Sequence, residues 1–488
     1  MGKDLLRKLE RETLLQLAPE QLVDIIVEQA IAIETLNKRI LELEQFVEKL
    51  KVSRDLDSST SSKPPSGDLL KKSENKQHQS DGDGQARKRK PGGQPGHPGK
   101  TRKGFGRVDR LEILRPEFCH CCGQTDFVGE PIKIETQQVA QLVECPIEIV
   151  EYHRYTCVCG ECGNLQAADW SGDIVPGQDM GIKLQAFLGW VNNYGHLPYE
   201  KQQELLWELA KIEIGVGTLV TTNERIDDAV AKSVNELKDW IQQTQPDIHS
   251  DETPWVIKGV KEWLWIFAST DFALFHAADT RSRAELEIIL GMSYDGVLSS
   301  DDYCVYNGYD VKAQQKCLAH LRRHFKKLIK LPGLNNLEIR NKFVNLIDEA
   351  FKNYSLFQKN QNILEFLSWG SQFKALVESS INQWIGKAGG DAGKLLRSLQ
   401  DKAHQWWYFI DHPEIPPDNN LAERSLRLAV TKRKVSGGSR SMERFKHTAN
   451  FLTVVQTCRR QGRSVIEFFE QAIKAMVHSG VQAPSLIS

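Results

Sequence analysis

No run in the 488-residue sequence is apolar for long enough to span a bilayer, and the opening "MGKDLLRKLERETLLQL" lacks the uninterrupted apolar core of a signal peptide. A cytoplasmic location with no membrane partner is therefore expected. An excess of one charge is missing as well. With 63 Lys and Arg against 64 Asp and Glu, the formal net charge of −1 excludes a uniformly basic coat for nucleic acid. What is present, 40% hydrophobic and 26% charged residues over this length, describes two or more domains, at least one of them large and globular. Ten cysteines, several crowded as "CHCC" and "CVCGEC", read as metal ligands rather than disulfides in a reducing compartment.

The balanced total conceals blocks. Residues 85–110 carry nine Lys or Arg against one acid, and residues 421–463 carry eleven against two. Such patches suit surfaces that grip phosphates while carboxylates work elsewhere. Leu22, Ile26, Gln29, Ile33, Leu36, Ile40, Leu43, Val47 and Leu50 recur at steps of four and three, the heptad seam of a coiled coil. β-Branched residues at one seam position and mostly Leu at the other favour a parallel pair, so a homodimer or higher oligomer is expected. The polar tract that follows cannot supply a core. It ends in "RKRKPGGQPGHPGKTRKG", where Arg87, Lys88, Arg89 and Lys90 form either a basic arm for DNA or a plain linker.

Cys-x-x-Cys-Gly then occurs twice, at Cys119/Cys122 and Cys159/Cys162, with a Val-, Ile- and Tyr-rich stretch between that reads as strands. Four thiolates from two such knuckles can hold one structural Zn²⁺, the glycines permitting the tight turns. Cys121 and Cys157 leave the ligand choice open, with buried free thiols as the bland reading. Residues 180–245 read as helices, a helix-turn-helix for DNA or simple bracing. Beyond them "DIHSDETPWVIKG", "KEWLWIFASTD" and "FALFHAADTRS" make three strands in hairpin order, "AELEIILG" a helix and "GVLSSDDYCVY" a further strand, a mixed α/β sheet. From about Cys317 to Tyr408 the chain is helical again, and it returns through "DHPEIPPDNN".

Asp251 and Asp301 fall at the ends of two of these strands, where side chains emerge into a shared crevice, and Glu423 can join them from a helix laid across it. Three carboxylates with open positions are what a pair of Mg²⁺ or Mn²⁺ ions needs for phosphoryl transfer. Taken singly, each acid is more often a solvated surface group.

"SSKPPSGD", "PGGQPGHPGK", "SDETPW", "SDDYCVYNGY", "CLAHLRRHF" and "DNNLAERSLR" occur in this order, and together the chain resembles the transposases of the insertion sequence 66 family. The resemblance implies a multidomain α+β protein. Residues 1–52 are then a dimerising coiled coil, 53–104 a basic linker or arm, 105–175 a small zinc-binding β-rich module and 176–245 a helical DNA-binding or bracing region. A ribonuclease-H-like mixed α/β catalytic core follows at 246–325 and 413–445, with a helical insertion at 326–412 and a helical C-terminus at 446–488. It implies Asp251, Asp301 and Glu423 as the DDE set on two Mg²⁺ (or Mn²⁺) ions, with Cys317 and His320 as active-site support. Arg424, Arg427, Lys432, Arg433, Lys434 and Arg440 become phosphate contacts. The expected partners are transposon inverted-repeat ends, target DNA and small accessory proteins. Two departures stand out: Asp302 sits where the family has Gly, which leaves a metal role open to it, and "KVSGGS" replaces a common Arg-Lys-Asn-aromatic run. The competing readings are a catalytically idle DNA-binding remnant and a ribonuclease-H-like nuclease.

The knuckles generate a first prediction. Metal analysis of the purified 105–175 fragment is expected to find about one zinc ion per folded fragment. A folded, metal-free fragment would remove the zinc module.

Overall fold

The computed structural model describes residues 18–55, 108–109, 111, 120–122, 125, 143, 146–159, 161–162, 164–169, 174 and 178–487, with backbone alone at 41 and 45–55. The expected basic arm, Arg87 to Lys90, and the first knuckle cysteine, Cys119, lie outside them. The chain divides into two compact units. One comprises residues 1–77, 171–198 and 220–488, the other residues 78–170 and 199–219.

In chain order the elements begin with α1 (Pro19–Asp55), then strands β1 (Thr156–Val158) and β2 (Leu165–Ala167) and helices α2 (Ile182–Asn193), α3 (Tyr199–Ala210) and α4 (Val216–Thr244). The main sheet follows as β3 (Ile248–Ile257), β4 (Val260–Ala268), β5 (Ala273–Ala278), α5 (Arg283–Leu290), β6 (Ser293–Ser300) and β7 (Asp310–Lys316). Helices complete the chain: α6 (Leu318–Lys327), α7 (Asn336–Asn360), α8 (Ile363–Ile385), α9 (Gly390–Asp401), α10 (Ala403–Trp406), α11 (Tyr408–Asp411), α12 (Asn420–Ser436), α13 (Met442–Arg460) and α14 (Val465–Val477). None among the described residues is long and apolar enough to cross a membrane.

The heptad stretch is helical in α1, and its seam residues Ile26, Ile33, Leu36, Ile40 and Leu43 are all exposed. In the smaller unit, β1 and β2 pair antiparallel, with Cys157 opposite Gln166. The main sheet runs in the order β5-β4-β3-β6-β7. Its first three strands pair antiparallel through hairpin turns, and β6 and β7 run parallel to β3. A positive-φ pair, Lys258 and Gly259, closes the β3–β4 turn, a conformation that suits Gly and strains Lys.

Strand alternation sorts the core onto two faces. Leu264, Ile266 and Phe275 pack on one face with Ala422 and Leu426 of α12 and Phe445 and Leu452 of α13. Trp265, Phe267 and Leu274 pack on the other with Ile226, Val230 and Ile241 of α4. Trp255 of β3 stacks on Phe445 at 5.1 Å, a pair worth about 1 kcal/mol beyond its buried area. The insertion helices α6 to α11 form their own core around Phe325, Phe343, Phe373, Trp406 and Phe409.

Strand β7, "DVKAQQK", was not legible as a strand, because its buried end is polar. Gln314 donates to the Tyr306 carbonyl at 2.7 Å, and Gln315 accepts from the Phe409 N–H at 2.8 Å. Its last residue, Lys316, is fully buried and pairs with Asp302 at 3.0 Å. Lys402 joins the same carboxylate at 2.8 Å and Ser398 donates to it at 3.0 Å, so Asp302 ties the end of β6 to the helical insertion. Burial opposes ionisation of Asp302, yet Lys316 and Lys402 outweigh it and hold the carboxyl below its usual range.

Asp302→Asn should therefore strand the buried Lys316 ammonium and cost about 3 kcal/mol in urea unfolding at neutral pH. A folded-state pKa that is depressed gives stability present above the unfolded value and lost as pH falls through the folded one. The gap between variant and wild type should accordingly close only below the ordinary carboxylate range.

Candidate active site

The site forms where β3 and β6 lie side by side in parallel. Ile248 faces Leu298 and His249 faces Ser299, and the same offset carried two residues further sets Asp301, just past the end of β6, level with Asp251. Alternation along β3 decides which acid of "DET" points where. Asp251 shares its face with Trp255 and Ile257, the face covered by α12. Glu252 turns to the opposite face, where Arg281 donates to it from Nε at 2.6 Å and Tyr306 from its hydroxyl at 2.6 Å. Arg281 in turn lies 3.6 Å over the ring of Tyr303.

The loop "PPDNN" brings α12 to this place. Asn419, fully buried, donates from its side-chain amide to the Ser250 carbonyl at 2.7 Å, and its side-chain oxygen accepts from His249 at 3.0 Å. Its backbone N–H points at the Cys317 sulfur, 3.2 Å away, and the Leu318 N–H donates to the Pro417 carbonyl at 2.9 Å. The first turn of α12 is thereby fastened both to the strand that carries Asp251 and to the start of α6. Glu423 sits in that turn, an acidic residue where the helix dipole favours one.

The electrostatics of the site converge on Asp251. Burial pushes the Asp251 carboxyl well above its usual range, and Glu252, Asp301 and Glu423 push it further. Asp301 accepts the Tyr303 N–H at 2.9 Å, and among the described residues neither it nor Asp251 is in an ion pair. Glu423 does have a cation: Arg323 of α6 reaches it at 3.1 Å, and His320 Nδ1 lies 3.5 Å away. Burial, reinforced by Arg323, pushes the His320 imidazole down to about 4, so it is neutral at pH 7.

Cys317, His320 and Glu423 offer donor atoms within 4.8 Å of one another, which could also hold a metal ion. Burial pushes the Cys317 thiol up to about 12, and its sulfur already accepts from Asn419. That engagement suits the support role expected of the Cys-x-x-His pair.

Of the expected phosphate contacts, Arg424, Arg427, Lys434 and Arg440 are exposed, and Arg433 reaches the Thr253 hydroxyl at 3.2 Å. Lys432 departs from the expectation. Its ammonium turns inward to the end of α2, donating to Asn193 Oδ1 at 2.8 Å and to the Asn192 carbonyl at 3.3 Å. Burial pushes its pKa down to about 7, which takes it out of the phosphate-facing set. In the smaller unit, Cys121 and Cys122 lie in an exposed turn, and Cys159 and Cys162 form the second knuckle beside the β1–β2 hairpin. N–H groups of Cys162 and Glu161 lower the Cys159 thiol. Sequence reasoning passed over Arg323, the Glu252–Arg281–Tyr306 group and the role of Asn419. The doubled acids, "DET" and "SDDY", were the available signal, since one member of each carries its own cations.

These features define an α/β protein with a carboxylate site in which Asp301 lies just past the end of β6, whereas Asp251, expected at a strand end, lies within β3 opposite Ile266 of β4. Residues 179–446 match the model described as the Transposase IS66 family, and the chain belongs to that family. Residues 7–103 match a family of unknown function, DUF6444. Similar proteins come from Sinorhizobium fredii (strain NBRC 101917 / NGR234), all described as uncharacterized. The protein y4hP is 22% identical over 394 residues, 72% of this chain and 69% of the relative. The protein y4jD is 24% identical over 359 residues, 66% and 68% of the two chains. The protein y4jO is 35% identical over 74 residues, so this chain spans 23% of its length.

The raised Asp251 carboxyl sets a pH dependence. An acid whose pKa is raised on folding favours the folded state while protonated, and that advantage disappears as pH rises through the folded value. In metal-free buffer Asp251→Asn should melt higher than wild type at pH 8, with the difference shrinking toward pH 4. Added Mg²⁺ should raise the melting temperature of wild type and leave the variant unchanged.

Proposed function

We propose that this chain binds the inverted-repeat ends of its element and catalyses DNA cleavage and strand transfer, with Asp251, Asp301 and Glu423 as a DDE set. The observation that carries the reading is the Asn419 clamp, which brings the turn bearing Glu423 to the strand bearing Asp251, level with Asp301. Three antiparallel strands, a helix and two parallel strands also support a ribonuclease-H-like core. The donor set suits a hard divalent cation, because its ligands are carboxylate oxygens and Asp251 lies in a surplus of negative charge. Asp251, Asp301 and Glu423 would hold two Mg²⁺ or Mn²⁺ ions. Such ions, when bound, supply positive charge to the attacking and leaving oxygens of a phosphoryl transfer.

The protein's own groups do the positioning. The Tyr303 N–H orients Asp301, and Arg323 steadies Glu423. Exposed Arg424, Arg427, Lys434 and Arg440 hold backbone phosphates beside the chemistry. Hydrolysis at a transposon end frees a 3′-OH, and that hydroxyl then attacks a target phosphodiester. The exposed heptad seam of α1 supports a parallel homodimer, and Cys159 and Cys162, with Cys119 and Cys122, a structural Zn²⁺. Small accessory proteins would join this assembly.

The test incubates purified protein with a labelled transposon end and Mg²⁺ or Mn²⁺. Asp251→Asn, Asp301→Asn and Glu423→Gln should each lower strand cleavage more than about a hundredfold while leaving end binding intact. Equal cleavage by the variants would defeat the DDE assignment.

A further inference from the structure

We infer that the cleft between α12 and α13 is a second DNA-backbone site, which holds the phosphates next to the scissile one on the same strand. The inference rests on the transposase reading above and goes beyond it in assigning residues of α13, outside the basic stretch that surrounds Glu423. The cleft has a volume of about 440 Å³ and takes Arg424 and Arg427 from α12 and Gln456, Arg459 and Arg460 from α13. Four guanidinium groups line it and no carboxylate does, in a chain whose net charge is −1. Arg424, Arg427 and Arg459 are exposed, and none of the three is in an ion pair among the described residues.

Two of the four cations are held in place rather than loosely displayed. Arg460 bridges the two helices and the sheet, donating to the Ser425 hydroxyl at 2.5 Å and to the Ser269 carbonyl. The Arg459 guanidinium lies 4.5 Å over the Tyr194 ring, which fixes its direction without neutralising its charge. Fixed, unpaired guanidinium groups are the arrangement that binds phosphate with the least reorganisation. The position is specific too. Arg427 follows Glu423 by four residues, about 6 Å along α12 and on nearly the same side. A strand whose reacting phosphate sits at Glu423 therefore has neighbouring phosphates within reach of Arg427 and, across the cleft, of Arg459.

Salt dependence tests this directly. Binding of a fluorescein-labelled duplex carrying the terminal repeat would be measured by anisotropy over a salt series for wild type, Arg427→Gln, Arg459→Gln and Lys394→Ala. Lys394 is an exposed lysine of the insertion, paired with Asp391. Each arginine variant should reduce the slope of log K against log salt by about one, and the lysine control should leave it unchanged. Arg427→Lys and Arg459→Lys should restore the slope, since the charge remains. Unchanged slopes for both Gln variants, in protein that still cleaves the end, would overturn the cleft and leave the transposase reading standing. Reduced slopes together with full cleavage by Asp251→Asn would sink the DDE assignment and keep the cleft. A wild-type protein that does not bind the duplex would end both.

Discussion

The geometry of the site depends on one buried side chain. Asn419 satisfies its amide and carbonyl on β3, at Ser250 and His249, and its backbone N–H on Cys317. A buried amide left without partners would cost more than the bonds return, so the loop has one low-energy seat. Glu423, four residues on, inherits its position from that seat through the first turn of α12, where its N–H bonds the Asn419 carbonyl. The helix does not find the strand by apolar packing alone. Ala422 and Leu426 supply contact area, and Asn419 supplies register.

Charge explains why the acids come in adjacent pairs. At 251–252 and at 301–302 the chain spends two carboxylates where the proposed chemistry needs one. Glu252 pairs with Arg281 and accepts from Tyr306, though burial and Asp301 still raise its carboxyl, and Asp302 pairs with Lys316 and Lys402. Those two hold the structure: Glu252 faces the core below β3, and Asp302 fastens the insertion. The other two, Asp251 and Asp301, are in no ion pair among the described residues, and burial first, then the charges of Glu252, Asp301 and Glu423, raises the Asp251 carboxyl. An apo site that is electrostatically unfavourable is one that a divalent cation relieves. Asp302 can take no part in that without abandoning the buried Lys316.

Much of this was legible in the sequence, for a physical reason. The strands around Asp251 and the helix before β6 alternate or cluster apolar residues at the period of their structure, and "DNN" before a helical run marks a start. What was missed is polar and long-range. Strand β7 buries Gln314, Gln315 and Lys316, which carry no apolar period. Lys432 belongs by composition to a basic surface run, yet its helix face turns it onto Asn192 and Asn193, 240 and 239 residues earlier. The pairing of Arg323 with Glu423 spans 100 residues. Partners at such distances are chosen by the fold, and no local pattern records them.

The helical insertion would seem the main obstacle to so exact a placement, because it separates Cys317 from Asn419 by 102 residues. Loop-closure entropy grows only with the logarithm of length, so a long excursion costs little more than a short one once its ends are held. Here they are held twice, by the Leu318 N–H on the Pro417 carbonyl and by Asn419 on the Cys317 sulfur. The excursion also carries its own core, around Phe325, Phe343 and Trp406. Its further ties to the sheet are polar, through Asp302 and Gln315, and so specify position without competing with the insertion's own packing. A segment with its own core that closes at its own base can be long without blurring the site. Glu423 then acts as though it followed β7 directly.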